Sequence, residues 1–167
     1  MPLSVRAYDR AAAVAYATRW AFDRNPAYLD FSTLGGDCTN FASQCLFAGS
    51  GTMNFTPVYG WYYTTASRRT ASWTGVSYLY QFLIRNQGAG PFAVETELAG
   101  LMVGDIVQLV LDQDRFQHSP VVVAIDPGTV SADRIYLAAH SDDAYNRPLS
   151  SYPYRQIRCL HIQGVRR

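Results

Sequence analysis

The stretch that decides the reading is "LGGDCTNFASQCLFAG", Leu34 to Gly49. A cysteine stands directly after Gly-Gly-Asp, where a helical pattern begins. The pattern predicts a helix over 38–48, with Asp37 as candidate N-cap and Gly49-Ser50-Gly51 past its end. A helix start presents unpaired N–H groups and a partial positive charge, the setting that favours a thiolate. Cys38 is therefore the candidate nucleophile. Its own N–H would be one donor to a developing oxyanion, with Tyr28 an upstream candidate for a second. Cys45 lies two turns further along, in the helix body, and reads as an inert core cysteine, as does Cys159 on a late strand. The count of three excludes a full disulfide framework. Cys38 and Cys45 would stand ~10 Å apart along one helix, too far to bridge.

The chain around this helix divides into two halves. Residues 7–24 read as a helix with Val14, Ala17, Ala21 and Phe22 on its apolar stripe and Asn25-Pro26 as its stop. From Thr52 to Trp73 the chain is irregular and aromatic. "GVSYLYQFLIRNQG" then reads as a third helix closed by Gly88. After Gly100 the period changes. "GDIVQLVLD", "HSPVVVAID", "RIYLAAHS" and "QIRCLHIQG" are strand-like runs separated by Asp, Gly and Pro turns. Helices first and antiparallel strands second indicate an α+β fold, with N-terminal helices packed on an antiparallel sheet. No repeat or linker divides residues 1–167, so a single domain is expected.

Composition narrows the function. Of 167 residues, 49% are hydrophobic and 16% charged, a globular balance. The net charge of +1 gives no reason to expect a nucleic-acid partner. All 14 cationic side chains are arginine, which reads as a compositional bias of the source. No stretch is apolar enough to span a membrane. Arg6, Asp9 and Arg10 interrupt any signal-like run at the start, so the expectation is a cytoplasmic protein or one whose upstream leader has been removed. Aromatics at 14% suit a groove for an extended polar ligand.

Two histidines complete a nucleophilic constellation. His118 opens the run "HSPVVVAI", where a sheet would fix an imidazole facing Cys38. His140 ends the next run, "IYLAAHSDD". If the two strands form a hairpin through "DPGTVSAD", His140 lies beside His118 and would orient its ring; Asp142, a carboxylate just beyond, is the alternative. Asp37 is also a candidate for binding a substrate amine, Asn40 for lining the pocket, and Trp61, Tyr62, Tyr63 and Trp73 for its wall. Gly104-Asp105 reads as a turn, and His161, opposite in facing to Leu160 and Ile162, as an edge position.

"GGDCTNFASQ" resembles the cysteine motif of the putative amidase domains of bacterial chains, and also the Asp-Cys-Ser-Gly motif of NlpC-like cell-wall peptidases with their papain-like fold. "YDRAAAVAYATRWAFDRNPAY", "SWTGVSYLYQFL", "VGDIVQL", "HSPVVVAI" and "YLAAHSDDAYNRPL" extend the amidase-domain resemblance from about Tyr8 to Ile162. Thr39-Asn40 departs from the Ser-Gly of the NlpC-like motif, and Ser50 stands where these amidase domains tend to have glycine. The resemblance implies a papain-like, NlpC-type fold and a Cys–His–polar hydrolase that cleaves amide bonds without metal or organic cofactor. Its substrate would be a peptide or peptidoglycan fragment, with oligomeric state left open. Three other readings use the same residues: a peptide-binding module without turnover, transfer of the acyl group to an acceptor other than water, and a zinc site from Cys38, His118 and His140.

Overall fold

The computed structural model describes residues 2–167. A short strand β1 (Val5–Arg6) precedes helix α1 (Arg10–Trp20). The helix starts later than the apolar pattern suggests because the Asp9 carboxylate caps it, accepting the Ala12 N–H at 2.9 Å. It is shorter at its far end as well. Its buried stripe is Ala13, Ala17 and, at the cap, Ala21, while Phe22 is exposed. Small side chains at this spacing let α1 lie close to helix α2 (Cys38–Ser50). At the tightest point a Cβ on Gly49 would stand 2.4 Å from the Tyr8 ring and 2.8 Å from the Asp9 carbonyl, so only glycine fits. Every residue of α2 except Phe47 and Ala48 is buried, and Gly51 ends it in the left-handed conformation. A helix buried on all sides has no solvent face to vary, which makes its N-terminus a rigid platform.

A two-stranded hairpin, β2 (Tyr63–Thr65) and β3 (Arg68–Arg69), leads into the short helix α3 (Ala71–Thr74) and then α4 (Val76–Arg85). The remainder is sheet: β4 (Gly90–Thr96), β5 (Ile106–Val110), β6 (Val121–Ile125), β7 (Ile135–Ala139), β8 (Ala144–Pro148) and β9 (Gln156–Arg166). All pairings are antiparallel, in the order β1-β9-β5-β6-β7-β8. The long β9 carries β4 on one edge and β5 and β1 on the other, so the sheet curls around it. The fold is thus α+β with a curled antiparallel sheet. The expected hairpin through "DPGTVSAD" is β6–β7, with Val121 opposite Ala138.

Both faces of the sheet are covered, which is why "GDIVQLVLD" has no polar alternation. On one face Ile106, Val121, Ala138 and Leu160 pack with Phe41, Leu46, Trp61 and Trp73. On the other, Val107, Leu109, Val122 and Leu137 pack with Leu149 and Tyr152 from the segment after β8. Asp105 is more than a turn. Its buried carboxylate accepts bonds from Arg10, His161 Nδ1 and the backbone N–H groups of Met102 and Ile162, tying α1 to β9. His161 is accordingly anchored rather than a bare edge residue. No described helix is long and apolar enough to cross a membrane.

Candidate active site

Gly35 and Gly36, both at positive φ (100° and 109°), turn the chain so that Asp37 and Cys38 face in different directions at the start of α2. Asp37 is fully buried and does not cap the helix. Its Oδ1 accepts from Phe31 N (2.8 Å) and Asn40 Nδ2 (2.9 Å). Its Oδ2 accepts from His140 Nδ1 at 2.5 Å and lies 3.6 Å from Arg24 Nε. Arg24 in turn holds Asp143 through two bonds of 2.9 and 3.0 Å. Ser141 Oγ accepts the Asp37 N–H at 3.1 Å, from a tight β7–β8 turn in which Ser141 and Asp142 both take positive φ.

This arrangement corrects several sequence-based expectations. His140 does not orient His118: its Nδ1 donates to Asp37, its Nε2 meets the Trp20 carbonyl at 2.7 Å, and its ring stacks on Phe41. Asp37 is enclosed and offers no oxygen to a substrate amine. Asn40 is buried too, donating to Leu29 O and Asp37 and accepting from Trp73 Nε1. Trp61 is fully buried against Trp73 and donates to Ser43 Oγ, so it is core and not pocket wall. Tyr63 and Trp73 are likewise buried core, and Tyr28 stacks on Trp73. The zinc set of Cys38, His118 and His140 is not assembled, because His140 is committed to Asp37. Among the described residues no three His, Cys, Asp or Glu side chains converge to hold a metal.

Cys38 and His118, by contrast, line one cleft of about 720 Å³ together with Gly35, Gly36, Gln117, Asp142, Arg147 and Tyr152. A second cleft of about 290 Å³ begins at the same Gly35–Gly36–Cys38–Gln117 edge and runs toward Gly75, Tyr78 and Phe116. Cys38 thus stands between two hollows. Of the predicted binding residues, Asp142 alone lines this surface.

The Cys38 Sγ donates to the Gln117 carbonyl at 3.7 Å and lies 3.7 Å from Thr39 Oγ1. Behind it runs a buried polar chain that the sequence did not reveal. Arg158 Nε donates to Gln108 Oε1, Gln108 Nε2 donates to Ser119 Oγ, and Ser119 Oγ shares a bond of 3.1 Å with Thr39 Oγ1. Its members come from β9, β5, the approach to β6, and α2, and only polar residues in otherwise apolar strands hint at it.

The electrostatics differ from the expectation of a readily ionised thiol. Burial pushes the Cys38 thiol up; the Thr39 hydroxyl and the N–H groups of Ser119 and Thr39 offset this only in part, and Asp37 adds to the rise. His118 is pushed down to about 4, first by burial and then by Arg147, with Asp142 opposing. Its ring forms no hydrogen bond with Sγ among the described residues and packs against Tyr152 at 5.6 Å between centroids. At neutral pH the two face the cleft as a thiol and a neutral imidazole.

Comparison with known proteins bears on this geometry. The family described as a putative amidase domain matches residues 7–162. Uncharacterized protein YhbB of Bacillus subtilis (strain 168) is 41% identical over 127 residues, which are 74% of this chain and 39% of that protein. The chain therefore spans well under half the length of that relative. No solved structure matches. The amidase description suggests hydrolase activity. By a match that runs through nearly all of its length, with both α2 and the sheet inside it, the chain belongs to the putative amidase domain family.

Proposed function

We propose that this chain is a cysteine-dependent amide-bond hydrolase of papain-like type, with Cys38 as nucleophile and His118 as acid and base. One observation carries the reading. Cys45 and Cys159 pack in the core at 0% and 4% exposure, whereas Cys38, itself buried at 9%, lines a cleft that it shares with an imidazole that makes no ring hydrogen bond among the described residues. The Asp37 side chain does not cap α2 among the described residues, which leaves the first N–H groups of the helix to sulfur and to an oxyanion.

In the proposed sequence His118 accepts the Cys38 proton as Sγ attacks the amide carbonyl. The Cys38 N–H stabilises the oxyanion. The imidazolium then protonates the departing amine, leaving a thioester. His118 next takes a proton from water, whose oxygen attacks the thioester, and returns a proton to sulfur as the acid leaves. Asp142 replaces His140 as the group that stabilises the imidazolium, since it raises the affinity of His118 for a proton. Two hollows meeting at Cys38 fit an extended peptide, and the NlpC-like resemblance makes bacterial cell-wall peptides the favoured substrate class.

A protonated thiol that is not bonded to the His118 ring favours a second reading, a peptide-binding module without turnover. Incubating wild type and Cys38→Ala with peptide amides and defined wall fragments, with products identified by mass, separates the two. Cleavage by wild type alone supports the hydrolase; binding without cleavage by either supports the module. Appearance of an acyl-amine product in place of the free acid would indicate transfer rather than hydrolysis.

A further inference from the structure

The wall of the cleft beside His118 holds two groups that the proposed chemistry does not use. Tyr152 is 6% exposed, and its hydroxyl, buried beside the Arg147 guanidinium, makes no hydrogen bond of ordinary geometry among the described residues. A buried phenol normally finds one. Arg147 lies with its guanidinium 3.7 Å above the Tyr152 ring centroid, presenting its plane to the ring. Its Nε donates to Ser151 Oγ at 2.8 Å and its Nη2 to the Ser151 carbonyl at 3.1 Å, which fixes the fork in place. No carboxylate pairs with it among the described residues. Both residues line the same cleft as Cys38 and His118.

We propose that Tyr152 and Arg147 form a subsite for a single carboxylate, so that the cleft takes amides bearing a free carboxylate near the scissile bond. This deepens, and for its catalytic meaning rests on, the hydrolase reading. A phenolic O–H and a held guanidinium N–H together match the two oxygens of a carboxylate. Asp112 and Asp142 line the same cleft, which disfavours a doubly charged phosphate. The subsite also bears on the base. Arg147 is one of the causes that hold the His118 imidazole down. A bound carboxylate would neutralise that charge and restore basicity to His118 when the right ligand is present.

The test uses binding, not turnover, in the chain of residues 1–167 carrying Cys38→Ala. The probes are N-acetylalanine and N-acetylalaninamide, titrated while the His118 ring resonances are followed by NMR. The acid should bind about tenfold more tightly than the amide and raise the His118 pKa, and Tyr152→Phe, which keeps the ring packing, should remove about tenfold of that preference. Arg147→Lys, which keeps charge but loses the fork, should weaken it too. Inorganic phosphate should bind less well than the acid. Equal binding of acid and amide, no binding of the acid at tens of millimolar, or an unchanged preference in Tyr152→Phe would overturn the subsite. None of these outcomes depends on whether Cys38 cleaves anything. Conversely, acid-selective binding with no hydrolysis by wild type would sink the hydrolase reading alone.

Discussion

Asp37 and Cys38 are adjacent in the chain and opposite in circumstance. Every oxygen of the Asp37 carboxylate is engaged, by Phe31, Asn40, His140 and Arg24. Cys38 has two long sulfur contacts and a cleft in front of it. The same contrast separates the histidines: both His140 ring nitrogens are bonded within the protein, whereas His118 is desolvated and unbonded. The lesson is that one helix start serves two purposes. The buried side anchors α2 to the β7–β8 turn, and the open side brings Cys38 to the cleft.

The contrast breaks if the two residues respond alike to substitution. Cys38→Ala should abolish turnover, by about a thousandfold or more, and change the unfolding midpoint little. Asp37→Ala should do the reverse first, destabilising the fold by about 3–5 kcal/mol because Arg24 and His140 lose their buried partner; denaturant titration measures both. Equal stability losses would show that Asp37 is not the anchor.

His118 sharpens the same point through pH. Its folded value, about 4, lies below the unfolded value of 6.5. Between these the unfolded chain binds the extra proton, so the stability contributed by a neutral His118 is fully present above pH 6.5 and is lost as pH falls toward 4. The whole loss amounts to about 3 kcal/mol. His118→Asn should flatten the dependence of unfolding free energy on pH across that window and also lower the cleavage rate. A slope unchanged by the substitution would mean that His118 is not held neutral by burial.

Alkylation of the free protein by iodoacetamide is a smaller effect. Because burial raises the Cys38 thiol, labelling should be slow at pH 6 and accelerate as pH rises above 9, yet still outpace Cys45, which is fully buried. Peptide mapping assigns each site; fast labelling of Cys38 at pH 6 would restore the thiolate that the helix start alone suggests. The smallest change is expected for Asp142→Asn. It should lower the His118 pKa further and the turnover rate by a few-fold, visible in an NMR titration of the ring.

Much of the frame was legible from local signals. Gly-Gly before α2 and a left-handed Gly51 after it bracket a helix that sequence alone delimits to within two residues. The apolar runs around β5, β6, β7 and β9 stood out by period and turn residues. Strand β8 did not, because "AYNRP" is a polar edge strand containing proline. Nor did β4, whose run opens on Gly-Pro and ends with charged and polar residues. The site was read less well than the frame, for a physical reason. A histidine after a strand looks the same whether it faces a cleft or a carboxylate 103 positions away, and the Asp37–His140 contact is of the second kind. Likewise Asn40 and Trp61 read as pocket residues because polar and aromatic groups suit pockets, yet here they satisfy one another's neighbours in the core. The Asp37 cluster, the Arg158–Gln108–Ser119–Thr39 chain and the orphan Tyr152 hydroxyl all arise from tertiary juxtaposition and carry no local signature.

The most direct measurement is an acid-quenched reaction of wild type with a cleavable peptide amide, followed by peptide mapping. The account predicts a mass increase equal to the acyl fragment on the peptide containing Cys38, and none in His118→Asn. Turnover that continues at the wild-type rate in Cys38→Ala, with no acyl group on sulfur at any time, would contradict it.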